Sequence, residues 1–288
     1  MSEHIPVLLN GVLDFLSPAD GKVYFDGTFG GGGYSEAILK QADCSVIACD
    51  RDDLVIPIAE KLQAKFPSRF SFVHSKFSDI KQILARQNVQ KVDGIVLDLG
   101  LSNFQLEDES RGFSFKSKGD VDMTMGLCDE TAMDVIRRCS EEQLANIIYS
   151  FSEERFSRRI AKTIKKNLRY IKTAEDLANA VRSCVRRTGK IDQATKTFQA
   201  LRIFVNKELE ELKLVLSEIP ELLNSGGKIV VVSFHSLEDR IVKSVFREYG
   251  QEKGVFEILT KKPVAPSERE VANNPKSRSA KLRALLRL

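Results

Sequence analysis

Short apolar runs alternate with amphipathic segments over the first hundred residues of the chain. The apolar runs at 22–26, 45–50, 70–74 and 92–98 have the length of buried strands. The segments between them, including 53–65 and 78–86, space their apolar residues three and four apart, as helices do. This alternation predicts a parallel sheet with helices packed on its faces.

The alternation stops after Asp98 and resumes about a hundred residues later. Between these points, helical spacing predicts helices at 140–148, 153–168, 173–187 and 194–205, with Thr173 and Asp176 forming a capping box. A helix at 207–223, a strand at 228–234 and a helix at 236–249 then follow, and strands at 255–260 and 281–288 are expected to pair antiparallel. We therefore predict an α/β core from 1–107 and 207–288, interrupted by an all-helical insertion at 108–206.

A glycine-rich loop follows the first predicted strand, in the sequence DGTFGGGGYS of residues 26–35. Such a loop lets bare backbone approach a nucleotide at the carboxyl end of a parallel sheet. It lacks the Lys-Ser or Lys-Thr pair of a triphosphate loop, and the third position of the dinucleotide fingerprint is Ser35. Asp50 ends the second strand, where a carboxylate can accept both ribose hydroxyls of an adenosine. This pattern fits NAD and S-adenosylmethionine equally well, and a simple glycine turn with a capping aspartate is the structural alternative.

The loop after the fourth predicted strand offers a second group of polar side chains. Asp98 and Gln105 can hydrogen-bond an adenine edge or an amino group, and Ser102 and Asn103 are small polar residues for a reaction site. Ligands of open α/β sheets bind at this edge, where the winding of the sheet reverses. The alternative interpretation is an Asx turn.

The charge of the chain is concentrated in one segment. The formal net charge is +4, but residues 155–190 contain twelve basic and two acidic groups, a local charge of +10 that leaves −6 for the remainder. A concentrated positive field of this kind is typical of a polynucleotide-binding surface, although a solvated helix face is the alternative. Arg158, Arg159, Lys162 and Lys166 are the candidate RNA contacts.

Composition excludes several other classes. We find no apolar run of membrane-spanning length and no signal peptide, so we expect a soluble, cytoplasmic protein. The five cysteines are scattered without a C-x-x-C pair, which predicts neither a disulfide framework nor a metal site.

Longer motifs run through the whole chain. They are HIPVLL at 4–9, the glycine loop, DRD at 50–52, DGIVLDLG at 93–100, RGFSF at 111–115, EERFS at 153–157, TFQALR at 197–202, FHSLEDR at 234–240, NP at 274–275 and RSAKLR at 278–283. In this order they resemble the bacterial 16S rRNA (cytosine-N4)-methyltransferase family, also called MraW or RsmH. A parallel sheet that ends in an antiparallel pair is also similar, by fold analogy, to methyltransferases that use S-adenosylmethionine.

The resemblance implies a Rossmann-like class I methyltransferase core, with a mostly parallel seven-stranded sheet and a terminal antiparallel strand. It implies that S-adenosylmethionine donates a methyl group to the N4 of a cytidine in the decoding region of 16S rRNA, in the small ribosomal subunit. The helical insertion is then the RNA-binding domain, and both a monomer and a homodimer remain open. The implied cofactor contacts are Gly32, Gly33, Tyr34, Asp50, Phe77, Asp98 and Gln105.

Ser102, Asn103, Asp122 and His235 are the candidates for contact with the cytosine, with Asp122 or His235 accepting its proton late in the reaction. For His235 the alternative is a structural hydrogen bond at a strand end. The chain departs from the family pattern around these positions, with Tyr34 replacing a usual histidine and Thr124 a usual arginine. Further departures are at Asn103, Phe104, Asp120, Asp192 and Gln193.

Two other functional classes are alternatives, although neither explains the full set of motifs. A dehydrogenase would bind NAD, whereas a methyltransferase would bind S-adenosylhomocysteine. A noncatalytic RNA-binding module would keep its basic helices and tolerate the loss of Asp50 and Asp98.

Overall fold

The computed structural model describes residues 6–187, 189, 191–251 and 254–288, with the backbone alone for Asn103. Within these residues the strands are β1 (Val23–Asp26), β2 (Ser45–Asp50), β3 (Phe70–His74), β4 (Val92–Asp98), β5 (Leu223–Ser233), β6 (Phe256–Ile258) and β7 (Lys281–Arg287).

The helices of the described residues are α1 (Leu9–Leu16), α2 (Gly33–Gln41), α3 (Ile56–Lys65), α4 (Ile80–Arg86), α5 (Asn103–Glu107), α6 (Ala132–Arg138), α7 (Glu141–Ser152), α8 (Ser157–Asn167), α9 (Ala174–Cys184), α10 (Thr195–Asn206), α11 (Glu208–Leu222), α12 (Ser236–Tyr249) and α13 (Glu268–Asn273). In addition, a 3₁₀ turn at Phe77–Asp79 leads directly into α4. No helix in the described ranges is both long enough and apolar enough to span a membrane.

The strands form one sheet in the order β3-β2-β1-β4-β5-β7-β6. Strands β1 to β5 are parallel to one another, and β7 lies antiparallel between β5 and β6. The predicted fold class, a mostly parallel seven-stranded α/β sheet ending in an antiparallel pair, is confirmed. In this order the chain reverses direction across the sheet between β1 and β4, which is where open α/β sheets bind ligands.

Alternate residues of the central strands enter two different hydrophobic cores. Val46 and Ala48 of β2 pack in a core with side chains of α1, α2 and α3. Ile47 and Cys49 of the same strand pack in a second core with side chains of α4, α11 and α12. Because both faces are covered, the strands read as continuous apolar runs rather than as alternating ones.

The described chain divides into two compact units, Met1–Gly100 with Leu209–Leu288, and Leu101–Glu208. The second unit is helical and has its own buried core, which includes Ile136, Leu144, Ile160 and Leu201. Residues 101–107 and 207–208, which we predicted to belong to the α/β core, group with the helical unit instead. For residues 101–107 the reason is packing, because Leu101 and Leu106 lie against the helical core.

Most predicted elements are present with shifted ends. The predicted helix at 153–168 begins four residues later, at Ser157, because Glu153 adopts a left-handed conformation and ends α7. The strand predicted at 228–234 begins earlier, at Leu223, with a register shift between Val92 and Gly94 on its partner. The capping box of Thr173 and Asp176 is confirmed, whereas α5 and α6 were not predicted.

Candidate functional site

Three aspartates end three adjacent parallel strands of the first unit. Asp26 is the last residue of β1, Asp50 of β2 and Asp98 of β4, and β1 lies between the other two strands. Carboxyl ends of parallel strands share one edge of the sheet, so the three side chains surround the glycine loop that leaves β1. Asp26 was not among the predicted site residues, although its position at a strand end directly before the glycine loop is the same signal that identified Asp50.

Asp26 is hydrogen-bonded to two residues of the glycine loop, Thr28 and Ser35. Its carboxylate is fully buried and accepts hydrogen bonds from the amide of Thr28 at 3.2 Å and the hydroxyl of Ser35 at 2.7 Å. Burial raises the pKa of Asp26 to about 6, and the two hydrogen bonds oppose that rise. Asp26 thus connects the start of the loop to α2.

Gly32 and Gly33 sit where any side chain would collide. Gly32 caps α2 with a φ of +75°, and a Cβ there would lie 2.8 Å from the ring of Phe29. A Cβ on Gly33 would lie 2.2 Å from Cγ of Pro6. The absence of side chains therefore lets the loop pack closely against Phe29 and Pro6 as it turns into α2.

Asp50 is fixed by the loop that it faces. Its Oδ2 accepts a hydrogen bond from the amide of Gly30 at 2.8 Å, and its Oδ1 accepts one from the amide of Asp52 at 3.0 Å. Burial raises the pKa of Asp50, and these amides partly offset the rise. Each carboxylate oxygen has a second lone pair, so the carboxylate can also accept ribose hydroxyls.

Asp98 carries a buried oxygen without a hydrogen-bond partner among the described residues. Its amide donates to Oγ1 of Thr28 at 2.6 Å, so the backbone is tied to the glycine loop. Its Oδ1 is inaccessible to water and has no hydrogen-bond partner among the described residues. Burial, followed by the nearby Asp26 and Glu238, raises the pKa of Asp98 to about 8. A cationic or hydrogen-bond-donating ligand would relieve this cost.

The side chain of Tyr34 is buried and bonded to the amino-terminal segment. It is 4% exposed, and its hydroxyl donates a hydrogen bond to the carbonyl of Val7. The amide of the next residue, Leu8, donates to Oε1 of Glu270 at 2.6 Å. Burial raises the pKa of Tyr34 well above its ordinary value. The side chain therefore anchors the amino-terminal segment, and the contact of Tyr34 with the cofactor stays a prediction.

Phe77 lies beside the glycine loop, as a cofactor contact requires. It opens the 3₁₀ turn after β3, and its Cβ lies 3.0 Å from the position that a Cβ on Gly27 would occupy. The ring is partly buried and packs against the core that contains Leu97. Its contact with adenine stays a prediction.

Ser102 and Gln105 form a capping box at the start of α5, in the second unit. The Ser102 hydroxyl accepts from the amide of Gln105 at 3.2 Å, and Oε1 of Gln105 accepts from the amide of Ser102 at 3.0 Å. These bonds explain the local turn, and the proposed ligand contacts of both residues stay predictions. The side chain of Asn103 lies outside what the structure describes.

His235 caps α12 in the first unit. Its Nδ1 accepts from the amide of Glu238 at 3.4 Å, and its Nε2 lies 3.1 Å from Oε1 of Glu238, without hydrogen-bond alignment. Oε2 of Glu238 accepts from the amides of Phe234 and His235 at 2.8 and 3.2 Å. This arrangement supports the structural alternative for His235. Glu238, which makes these contacts, was not among the predicted site residues.

Asp122 lies in a loop of the second unit that several bonds hold in place. Its Oδ1 accepts from the amide of Thr124 at 2.9 Å. The carbonyl of Thr124 in turn accepts from Arg111, with its Nη2 at 2.6 Å. At the other end, Asn206 accepts from the amide of Met125 at 2.8 Å. Asp122 is thus presented on a rigid loop, and its role stays a prediction.

The candidate RNA contacts share the solvent face of α8. Arg158, Arg159, Lys162 and Lys166 are all exposed, whereas Ile160, Ala161 and Ile164 on the opposite face are buried. Within the described residues, the four basic side chains make no hydrogen bond or ion pair.

Other basic residues of the same segment have structural partners. The Lys165 ammonium donates to the carbonyl of Ile136 at 2.6 Å, and Arg182 forms an ion pair with Asp192 at 2.7 Å. Lys190 lies outside the described residues. The local charge of +10 therefore overstates what is available to a ligand, and the face of α8 is one part of the segment without side-chain partners among the described residues.

Three proteins that are similar to this chain share one name. A protein of Ehrlichia chaffeensis is 51% identical over 296 residues, which cover 99% of this chain and 100% of that protein. Proteins of a Wolbachia strain from Drosophila simulans and of Anaplasma phagocytophilum are 47% and 45% identical, each over at least 99% of both chains. All three are named ribosomal RNA small subunit methyltransferase H.

The sequence model of the MraW methylase family matches residues 1–288 of the chain. This match confirms the family resemblance and the methyltransferase class, with S-adenosylmethionine as methyl donor. The relatives are similar over their full length as well. The chain therefore belongs to the MraW methylase family.

Proposed function

We propose that this protein transfers a methyl group from S-adenosylmethionine to the N4 of a cytidine in the decoding region of 16S rRNA. The name of the relatives supports small-subunit ribosomal RNA as the substrate, and the motif resemblance supports the N4 position. The observation that carries the cofactor half of the proposal is the buried Oδ1 of Asp98, which lacks a partner beside a glycine loop. The donor's amino acid end bears an ammonium group that satisfies this oxygen.

The residues of the first unit fit such a donor. Asp50 is oriented by Gly30 and Asp52 to accept ribose hydroxyls, and Phe77 offers a ring for adenine. When bound, the donor supplies a methyl group activated by its sulfonium. The protein's part is to align that group with the attacking nitrogen, because alignment contributes much of the rate in a displacement.

The amino nitrogen of cytosine is a weak nucleophile because its lone pair is delocalised into the ring. The base must first be exposed, and Ser102 and Asn103 are proposed to orient it. As the nitrogen–methyl bond forms and the carbon–sulfur bond breaks, N4 becomes more acidic and loses one proton. Because Nδ1 of His235 accepts from the amide of Glu238, the neutral imidazole carries its hydrogen on Nε2 and has no free lone pair, so we assign that proton to Asp122 or to water that it binds.

The exposed basic face of α8 is proposed to hold the RNA through its phosphates. Such contacts position the substrate without reading its sequence. A protein that modifies ribosomal subunits in this way acts in the cytoplasm. Sequence discrimination then comes from the shape of the decoding region and from the site that receives the exposed base.

The reaction can be tested with purified protein, small ribosomal subunits and S-adenosylmethionine carrying a labelled methyl group. We expect labelled N4-methylcytidine in fragments of the decoding region when the nucleosides are mapped by mass. Cells that lack the protein should lack the same modification. Label on another base, or at the ring carbon of cytosine, would contradict the proposed position. Binding of NAD but not S-adenosylhomocysteine in calorimetry would contradict the cofactor.

A further inference from the structure

Glu211 is a buried acid on α11, far along the chain from the glycine loop. It is 6% exposed, and burial of a carboxylate is costly unless the charge is paired and hydrogen-bonded. Its partners are the two residues on either side of Phe77. The hydroxyl of Ser78 donates a hydrogen bond to Oε2, and Nζ of Lys76 lies 3.5 Å from Oε1.

The turn that carries Phe77 is also fixed at its other end. The amide of Ser75 donates to the carbonyl of Asp50 at 3.0 Å, and its hydroxyl donates to Oδ2 of Asp79 at 2.8 Å. The amide of Asp79 donates to the carbonyl of Lys76 at 3.0 Å. The segment is thus held to the end of β2 on one side and to Glu211 of α11 on the other.

We infer that Glu211 is a positioning residue for the adenine of the cofactor and acts through Phe77. The turn that Glu211 holds places Phe77 against Gly27, the first glycine of the loop. A shift of this turn would therefore move the ring relative to the ribose acceptor Asp50. This inference rests on the proposed function, because it requires the predicted contact of Phe77 with adenine. A buried acid that served the α11 packing alone would not affect that contact.

A double-mutant cycle on the full-length chain separates these roles. The dissociation constant for S-adenosylhomocysteine is measured by calorimetry for the wild type, Glu211→Ala, Phe77→Ala and the double variant. We expect Glu211→Ala to weaken binding about tenfold, which corresponds to about 1.4 kcal/mol. The double variant should bind no more weakly than Phe77→Ala. Glu211→Gln still accepts from Ser78 and should recover part of the loss.

Glu221→Ala is the matched control, because it removes an acid with an exposed lysine partner, Lys81, from the same helix. It should leave the dissociation constant unchanged. If Glu211→Ala does not fold, as judged by its thermal unfolding, Ser78→Ala tests the same clamp by a smaller change and should weaken binding in the same direction.

Fully additive losses in the cycle, or unchanged binding by Glu211→Ala, would overturn the inference. The inference would also be overturned if Phe77→Ala bound S-adenosylhomocysteine as tightly as the wild type while Glu211→Ala bound it weakly. In that case the assignment of the cofactor would still stand. A wild-type chain that binds no S-adenosylhomocysteine would instead refute the proposed function itself.

Discussion

At the scale of single residues, Asp98 is the group whose state a bound cofactor should change most. The pKa of its carboxyl is about 8, although the ordinary value is 3.8, because the buried environment disfavours the charged form. An ammonium ligand favours the carboxylate and lowers that pKa in the complex. Binding at pH 6 to 8 must then release a proton, so affinity rises with pH and levels off above about 8.

We therefore expect the dissociation constant for S-adenosylhomocysteine to fall as the pH is raised from 6 to 8, by at most about tenfold per pH unit. Calorimetry in buffers of different ionisation enthalpy counts the released proton. Asp98→Asn should remove the slope and weaken binding at pH 8. The control ligand is 5′-methylthioadenosine, which lacks the amino acid end and should show no slope in the wild type. An equal slope for both ligands would contradict this role of Asp98.

Replacement of Gly32 tests whether this position requires glycine because a side chain would clash with its neighbours or because of its backbone conformation alone. Its φ is +75°, and a Cβ would meet the Phe29 ring, which cannot retreat because it packs against Phe70 and Phe72. Gly21 has a similar φ of +72° with nothing within 4 Å. Gly21→Ala should cost about 1 kcal/mol of unfolding free energy, and Gly32→Ala about 1 to 3 kcal/mol more.

Urea unfolding of the two glycine variants provides the comparison, with S-adenosylhomocysteine affinity as a second measurement. Only Gly32→Ala should lose affinity, because only its loop faces the site. Equal losses of stability in the two variants would show that the clash with Phe29 has no cost.

At the scale of elements, periodicity predicts what local interactions determine. The strands that end in Asp50 and Asp98 were predicted with their end residues, because both faces of a parallel sheet are buried and the runs end where polar residues begin. The capping box at Thr173 was predicted for the same local reason. The end of α7 at Glu153 was missed, since a left-handed glutamate has no sequence signal of the kind that glycine gives.

The basic face of α8 is proposed to act on RNA through its charge. We expect simultaneous replacement of Arg158, Arg159, Lys162 and Lys166 by glutamine to weaken binding to 16S rRNA and to flatten its dependence on salt. The salt slope should fall by about 0.7 to 0.9 for each phosphate that the protein no longer neutralises. Binding of S-adenosylhomocysteine should be unchanged, because the cofactor residues that we assign to the first unit are not altered.

A control with the same change of net charge removes four exposed basic side chains from the first unit, at Lys61, Arg86, Lys91 and Lys213. Filter-binding titrations from 50 to 300 mM salt would compare the two variants. If the affinity and the slope decrease equally in both, net charge and not the α8 face accounts for RNA binding.

At the scale of the whole molecule, the sequence predicted two units but not the remote pairs inside them. Glu211 and Ser78 are 133 positions apart, and Met125 and Asn206 are 81 apart. No periodic pattern links such residues, because their contact follows from how the elements pack. The same applies to Asp98, whose pKa is raised mainly by burial and further by Asp26, because β1 and β4 are adjacent in the sheet. The motifs therefore predicted a candidate site, and packing determined that Oδ1 of Asp98 and Nε2 of His235 lack a hydrogen-bond partner among the described residues.

The two units should respond separately to the two ligands in hydrogen exchange. At about 100 times its dissociation constant, S-adenosylhomocysteine can stabilise the state that binds it by about 2.7 kcal/mol. We expect slower exchange at residues 27–34 and 75–79, and little change in α8. An RNA fragment of the decoding region should give the reverse pattern, with protection of α8 that 300 mM salt weakens. Protection of α8 by the cofactor analogue alone would show that the basic helix belongs to the cofactor site, and the assignment of separate roles would be wrong.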